Sequence, residues 1–152
     1  MNASEQVRRL WALFQARRWT EAQALLAPDA VCDWPGTLER FQGAQAFIGV
    51  NAAYPEGWTI HLLELQALFD GRVHSLVRVD HGPAQFLANS FFVVAAGQIQ
   101  SVQEYWTDVQ EAPAWRREFP GGMPGRAVLP VDVRPGLSLE LEPLGLPTDA
   151  AK

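Results

Sequence analysis

Two carboxylates and one guanidinium are the residues best placed to do chemistry. Arg78-Val79-Asp80 lies in a stretch whose apolar residues alternate. Residues two apart in a strand project from one face, so the guanidinium and the carboxylate would sit side by side, with His74 further along that face. An Arg beside an Asp lowers the carboxylate pKa and fixes its orientation, as a general base or an anchor for a substrate carbonyl requires. A solvated ion pair on an edge strand is the alternative. Within Glu104-Tyr105-Trp106-Thr107-Asp108, Glu104 and Trp106 share a face, and an apolar neighbour raises a carboxylate pKa by desolvation, giving a proton donor. If Glu104 faces the same space as Asp80, one carboxylate lies near a cation and the other near an aromatic ring, which is an acid/base layout. The alternative leaves Glu104 solvated at a sheet edge with only Trp106 in the core.

Asp33 stands between Cys32 and Trp34. It either faces a pocket, where it would need a partner, or lies outside with Cys32 and Trp34 inside. Cys32 is the single cysteine, so no internal disulfide can form, and with no basic partner it reads as a small core hydrophobe. His61, His74 and His81 match no metal-ligand spacing, so no metal is expected. Trp34, Phe41, Phe47, Tyr54, Trp58 and Trp106 suit a cavity for a ring-bearing ligand, or plain core packing. There is no Gly-rich phosphate loop, Gly-x-Ser-x-Gly elbow or Walker sequence, and no cofactor is expected.

These residues need elements to hold them. Ser4 precedes Val7, Leu10, Trp11, Leu13 and Phe14 at helical spacing, which predicts a helix from Ser4 to Ala16 capped by the Ser4 hydroxyl. Thr20-Glu21-Ala22-Gln23 reads as a capping box opening a short second helix that ends before Pro28. Ala30 to Trp34 reads as a strand ended by Pro35-Gly36, and a third helix follows Gly43 and stops at Tyr54-Pro55-Glu56-Gly57. The period then changes to two. Trp58 to Phe69, Arg72 to His81, Gln85 to Ala95 and Ile99 to Thr107 read as four strands of an antiparallel meander, separated by Asp70-Gly71, His81-Gly82-Pro83 and Ala96-Gly97. In the third of them Phe86, Phe92 and Val94 point one way and Leu87, Phe91 and Val93 the other, so both faces are expected to be covered.

The chain of 152 residues suits one domain of ordinary size. With 48% apolar residues, among them six Trp and eight Phe, it can build an aromatic core. A net charge of −5 argues against nucleic acid or an anionic membrane as main partner, leaving small molecules and proteins. No apolar run approaches the ~18 residues that span a bilayer, and Arg8 and Arg9 interrupt the opening segment, so a cytoplasmic protein is expected. From Phe119 to Lys152 the chain carries six prolines and five glycines, with only Ala127 to Val133 and Leu137 to Leu141 strand-like. That extension, 119–152, is expected to pack on the domain, 1–118, or on a second subunit.

The order of helix, short helix followed by Pro28-Asp29-Ala30-Val31, strand, helix near Gly43, and meander ending in Gly97-Gln98-Ile99 and Glu104-Tyr105-Trp106 resembles the SnoaL-like branch of the nuclear-transport-factor-2-like superfamily, over about Glu5 to Trp115. The resemblance implies an α+β fold in which a curved antiparallel sheet wraps around the N-terminal helices as a cone with an internal pocket. It also implies a homodimer through the sheet face. Relatives include ketosteroid isomerase, scytalone dehydratase, polyketide cyclases and limonene epoxide hydrolases. The epoxide hydrolases carry Arg-x-Asp on one strand and Asp on the last, and Arg78, Asp80 and Glu104 fall at similar places. Their water-positioning Tyr and Asn are replaced here by Cys32 and Trp34. By resemblance, Asp80 would act as base, Arg78 would orient it or bind an oxyanion, and Glu104 would donate a proton. The pocket would include Asp33, Trp34, Phe47, Tyr54, Trp58 and Trp106 and hold a small apolar ligand. Isomerisation, cyclisation, dehydration and hydration fit those groups; a non-catalytic binding module or dimeric scaffold is the other reading.

Overall fold

Asn2, rather than Ser4, caps the first helix. In the computed structural model, which describes residues 1–122 and 136–148, the Asn2 side chain accepts from the Glu5 amide at 2.8 Å. The Glu5 carboxylate accepts in return from the Asn2 amide at 3.0 Å, completing a capping box two residues earlier than expected. Helix α1 runs Ala3–Gln15 and buries Val7, Leu10, Trp11 and Phe14 along one face. A second helix, α2, spans Trp19–Ala24 without a side-chain cap. It starts one residue before Thr20, which places the Trp19 ring 5.4 Å from Phe14 and 6.2 Å from Trp58.

Strand β1 covers Leu26–Trp34, longer than expected. Pro28 is tolerated because the register skips between Leu26 and Val31, so no ladder bond is asked of it. A short strand β2, Glu39–Gln42, turns back on β1 and leads to helix α3, Ala44–Ala53. The meander then follows as β3 (Trp58–Ala67), β4 (Val73–His81), β5 (Ala84–Ala95) and β6 (Gln98–Asp108).

The six strands form one unclosed sheet in the order β2-β1-β6-β5-β4-β3. It is mixed rather than wholly antiparallel. The last strand of the meander, β6, arrives beside β1 running in the same direction, and that pair is parallel while every other pair is antiparallel. Register shifts in β1, in β3 between Leu62 and Glu64, and in β5 between Val93 and Val94 bend the strands. The α+β architecture is the expected one.

Alternation sorts the side chains. Leu62, Val73, Val77, Ala88, Phe92, Ile99 and Val102 face α1 and are fully buried or nearly so. Trp11 pins α1 to that face: its indole donates to Ser75 Oγ at 3.0 Å and its ring meets Phe92 edge-on at 6.5 Å. The described part of the extension lies on the same domain. Leu137 donates its amide to Leu62 O at 2.7 Å, Arg8 donates to Ser138 O, and Arg18 to Pro147 O. A Cβ on Gly136 would stand 2.8 Å from Leu62 O, so only glycine lets the segment close on β3. Leu137 makes a single bridge instead of the strand expected at 137–141, and the expected strand at 127–133 lies outside the described residues.

Candidate functional site

Between α1, the end of α3 and the inner face of the sheet lies a cavity of about 710 Å³. Trp11 and Phe14 contribute from α1, Trp34 from β1, Trp58 from β3, Phe86 from β5 and Trp106 from β6. Asn51 and Tyr54 close it from the end of α3. Along one wall Trp34 and Trp106 meet edge-on at 6.2 Å.

Three acids line the cavity, and of these Glu39 and Asp108 are exposed while Glu104 is buried in the apolar wall. Glu104 is 1% exposed, and no cation pairs with it among the described residues. Its Oε1 accepts from Trp34 Nε1 at 2.9 Å and from Cys32 Sγ at 3.8 Å, and its Oε2 from Ser90 Oγ at 2.6 Å. Burial pushes its pKa up; the Ser90 and Trp34 hydrogen bonds oppose the rise without cancelling it. Burial, with the neighbouring Glu104, likewise pushes the Cys32 thiol up, so no thiolate nucleophile is available there. The indole N–H of Trp58 is buried and makes no hydrogen bond, and that of Trp106 lies near enough to Glu104 to favour its charged form. The wall therefore holds a carboxyl inclined to keep its proton and, in Trp58, a donor without an acceptor.

Arg78 and Asp80 are not in this cavity. Val79, between them, lines it, and alternation sends its two neighbours to the opposite face of the sheet. There Arg78 binds Asp80 through two hydrogen bonds of 2.9 Å, and His61 Nε2 and Gln85 Nε2 approach the same carboxylate at 3.0 and 3.1 Å. Partial burial pushes the Asp80 pKa up, but Arg78, Gln85 and His61 outweigh it and leave the carboxyl below its usual range. The acid/base layout uniting Asp80 with Glu104 is thus corrected: the two carboxylates face opposite sides of one sheet. Asp33 is corrected in the same way. It faces outward, bound by Arg40 at 2.7 and 2.9 Å, while Cys32 and Trp34 face inward. Phe47 lies in the core against Phe14 at 5.9 Å rather than in the lining. Trp34, Tyr54, Trp58, Trp106 and Glu104 do meet around the cavity. Ser90 belongs to no motif that singles it out in the sequence, yet it is the polar residue on the Phe86–Phe92 face of β5 and lies opposite Glu104 in the ladder. Among the described residues no cluster of His, Cys, Asp and Glu could hold a metal.

No protein-family model matches the sequence, and no curated protein matches it. Solved structures do. A candidate ketosteroid isomerase from Kribbella flavida is 27% identical over 80% of this chain and 89% of its own, with a TM-score of 0.67. An NTF-2 like protein of unknown function from Burkholderia xenovorans is 19% identical over 76% of this chain and 90% of its own, at 0.64. An LEH-like epoxide hydrolase from M. tuberculosis is 21% identical over 68% of this chain and 83% of its own, at 0.53. These neighbours match this protein over nearly their whole length, and the chain has the α+β fold of the nuclear-transport-factor-2-like proteins.

Proposed function

We propose that the cavity binds a small, mostly apolar, ring-bearing molecule with an acceptor oxygen, and that Glu104 serves that oxygen as hydrogen-bond and proton donor. The chemistry is cofactor-independent acid/base catalysis of the isomerase, cyclase or dehydratase type. The observation that carries this reading is the burial of Glu104 without a cation in an aromatic wall. A carboxyl so placed is a better acid than base, because ionising it leaves a charge in a medium that solvates it poorly. The free N–H of Trp58 supports the same ligand class, since a buried donor without an acceptor costs about 1–3 kcal/mol until something accepts from it. The volume suits a molecule of two or three fused rings.

A pair of probes of equal shape tests this. 2-Acetylnaphthalene carries a carbonyl acceptor and 2-ethylnaphthalene does not. Titrated against the tryptophan fluorescence, the ketone is expected to bind about tenfold more tightly, the worth of one hydrogen bond in a dry site. Equal affinities, or no quenching by either probe, would refute the assignment.

A further inference from the structure

The loop that closes the cavity clasps a histidine by both ring nitrogens. Tyr54, which lines the cavity, lies with its hydroxyl 2.8 Å from His81 Nδ1. His81 Nε2 lies 3.0 Å from the Glu56 carbonyl oxygen. A carbonyl can only accept, so Nε2 carries the hydrogen. In the neutral imidazole Nδ1 is then bare, and the Tyr54 hydroxyl donates to it. Gly57 completes the clasp. It has φ +109°, and a Cβ there would stand 3.4 Å from His81 Cδ2 and Nε2, so glycine serves both the turn and the imidazole. His81 is two residues beyond Val79 and belongs to the cavity side of β4, whereas Asp80 faces away to Arg78.

We propose that Tyr54 and His81 form a proton-accepting relay at the cavity mouth, the base that complements Glu104. This rests on the reading of the cavity as a reaction chamber. Tyr54 Oη takes a proton from a substrate C–H or O–H, and the bonding pair stays on the substrate. The proton already on Tyr54 passes to His81 Nδ1. The imidazolium so formed keeps both partners, now donating from Nδ1 to Tyr54 Oη and from Nε2 to the Glu56 carbonyl, so the transfer needs no side chain to move. Among the described residues the Glu56 carboxylate interacts with the ring, and Arg17 pairs with that carboxylate at 2.9 Å. Arg17 first, and His81 with it, hold the Glu56 carboxyl below its usual range, so an anion remains on hand for the imidazolium.

The relay can be tested without the natural substrate. 5-Nitrobenzisoxazole is an apolar bicyclic probe. A base removes its C3 hydrogen as a proton, the C–H pair forms the nitrile, and the N–O bond breaks with its pair on oxygen, releasing the coloured 2-cyano-4-nitrophenolate. Wild type is expected to accelerate this elimination, with a rate that rises with pH and levels off once the imidazole is neutral. Tyr54→Phe is expected to lower the rate about a hundredfold while the probe still quenches tryptophan fluorescence. His81→Gln can still bond Tyr54 but cannot take its proton, so the rate should fall and the pH dependence vanish, which loss of a merely structural contact would not produce. Binding without acceleration by wild type, or unchanged rates and pH profiles in both variants, overturns the relay alone. Failure of the probe to bind removes the cavity reading and the relay with it.

Discussion

Glu104→Gln is expected to stabilise the protein at neutral and alkaline pH, to flatten its stability–pH curve and to slow proton transfer in the cavity by about a hundredfold. The sign follows from linkage. Burial raises the folded-state pKa of Glu104 above the usual value of 4.5. Below that value both folded and unfolded chains carry the proton, and the contribution of Glu104 to stability is fully present. As pH rises through the folded pKa, the unfolded chain ionises more readily than the folded one, binds fewer protons, and stability is lost. Gln cannot ionise, so the loss disappears. Its carbonyl can still accept from Trp34 Nε1 and its amide can donate to Ser90 Oγ, so the packing survives. Thermal melts of the two proteins between pH 4 and pH 8 check this, each kcal/mol recovered raising the midpoint by roughly 2–4 °C. Other carboxylates titrate in both proteins, and the difference between the curves isolates Glu104. Parallel curves would mean that Glu104 ionises as freely when folded as when unfolded.

Phe14→Ala is expected to cost about 3–5 kcal/mol, a large part of the stability of a domain of this size. Phe14 is 2% exposed, and its ring lies 5.8 Å from Trp11, 5.4 Å from Trp19 and 5.9 Å from Phe47. It therefore ties α1, α2 and α3 together, and it lines the cavity from α1. Removing it widens a space that packing already leaves open, and those neighbours cannot collapse into the gap without leaving the sheet. Urea unfolding measures the loss, with Phe69→Ala as the control. Phe69 is fully exposed, and its loss should stay within about 0.5 kcal/mol.

The period-two pattern from Trp58 onward placed β3 to β6 within one or two residues of their ends, because turns such as Asp70-Gly71 and Ala96-Gly97 interrupt it sharply. Strand β2 was invisible: Glu39-Arg40-Phe41-Gln42 has no alternation and exists because β1 offers it an edge. The parallel pairing of β1 with β6 was equally hidden, since it joins Cys32 to Val102 across most of the domain. That Arg78 and Asp80 share a face was legible; which face was not taken from the residues. Val73, Val77 and Val79 make the odd positions of β4 apolar and already assign the even ones to the other side. The likeness to the epoxide hydrolases drew the pair inward instead. Glu104 was found because Trp106 lies beside it. The bond between Tyr54 and His81 spans 27 residues and comes from a turn meeting the end of a strand, which spacing along a chain does not reveal.

The proposed chemistry requires a carboxyl in the cavity wall that gives up its proton less readily than a free one. The carbon-13 chemical shift of the Glu104 side-chain carboxyl, followed through a pH titration of the folded protein, tests it most directly. The expected midpoint lies above 4.5, the value for an unperturbed glutamate, with the Ser90→Ala variant shifted higher still because it removes a hydrogen bond that favours the charged form. A midpoint at or below 4.5 would contradict it.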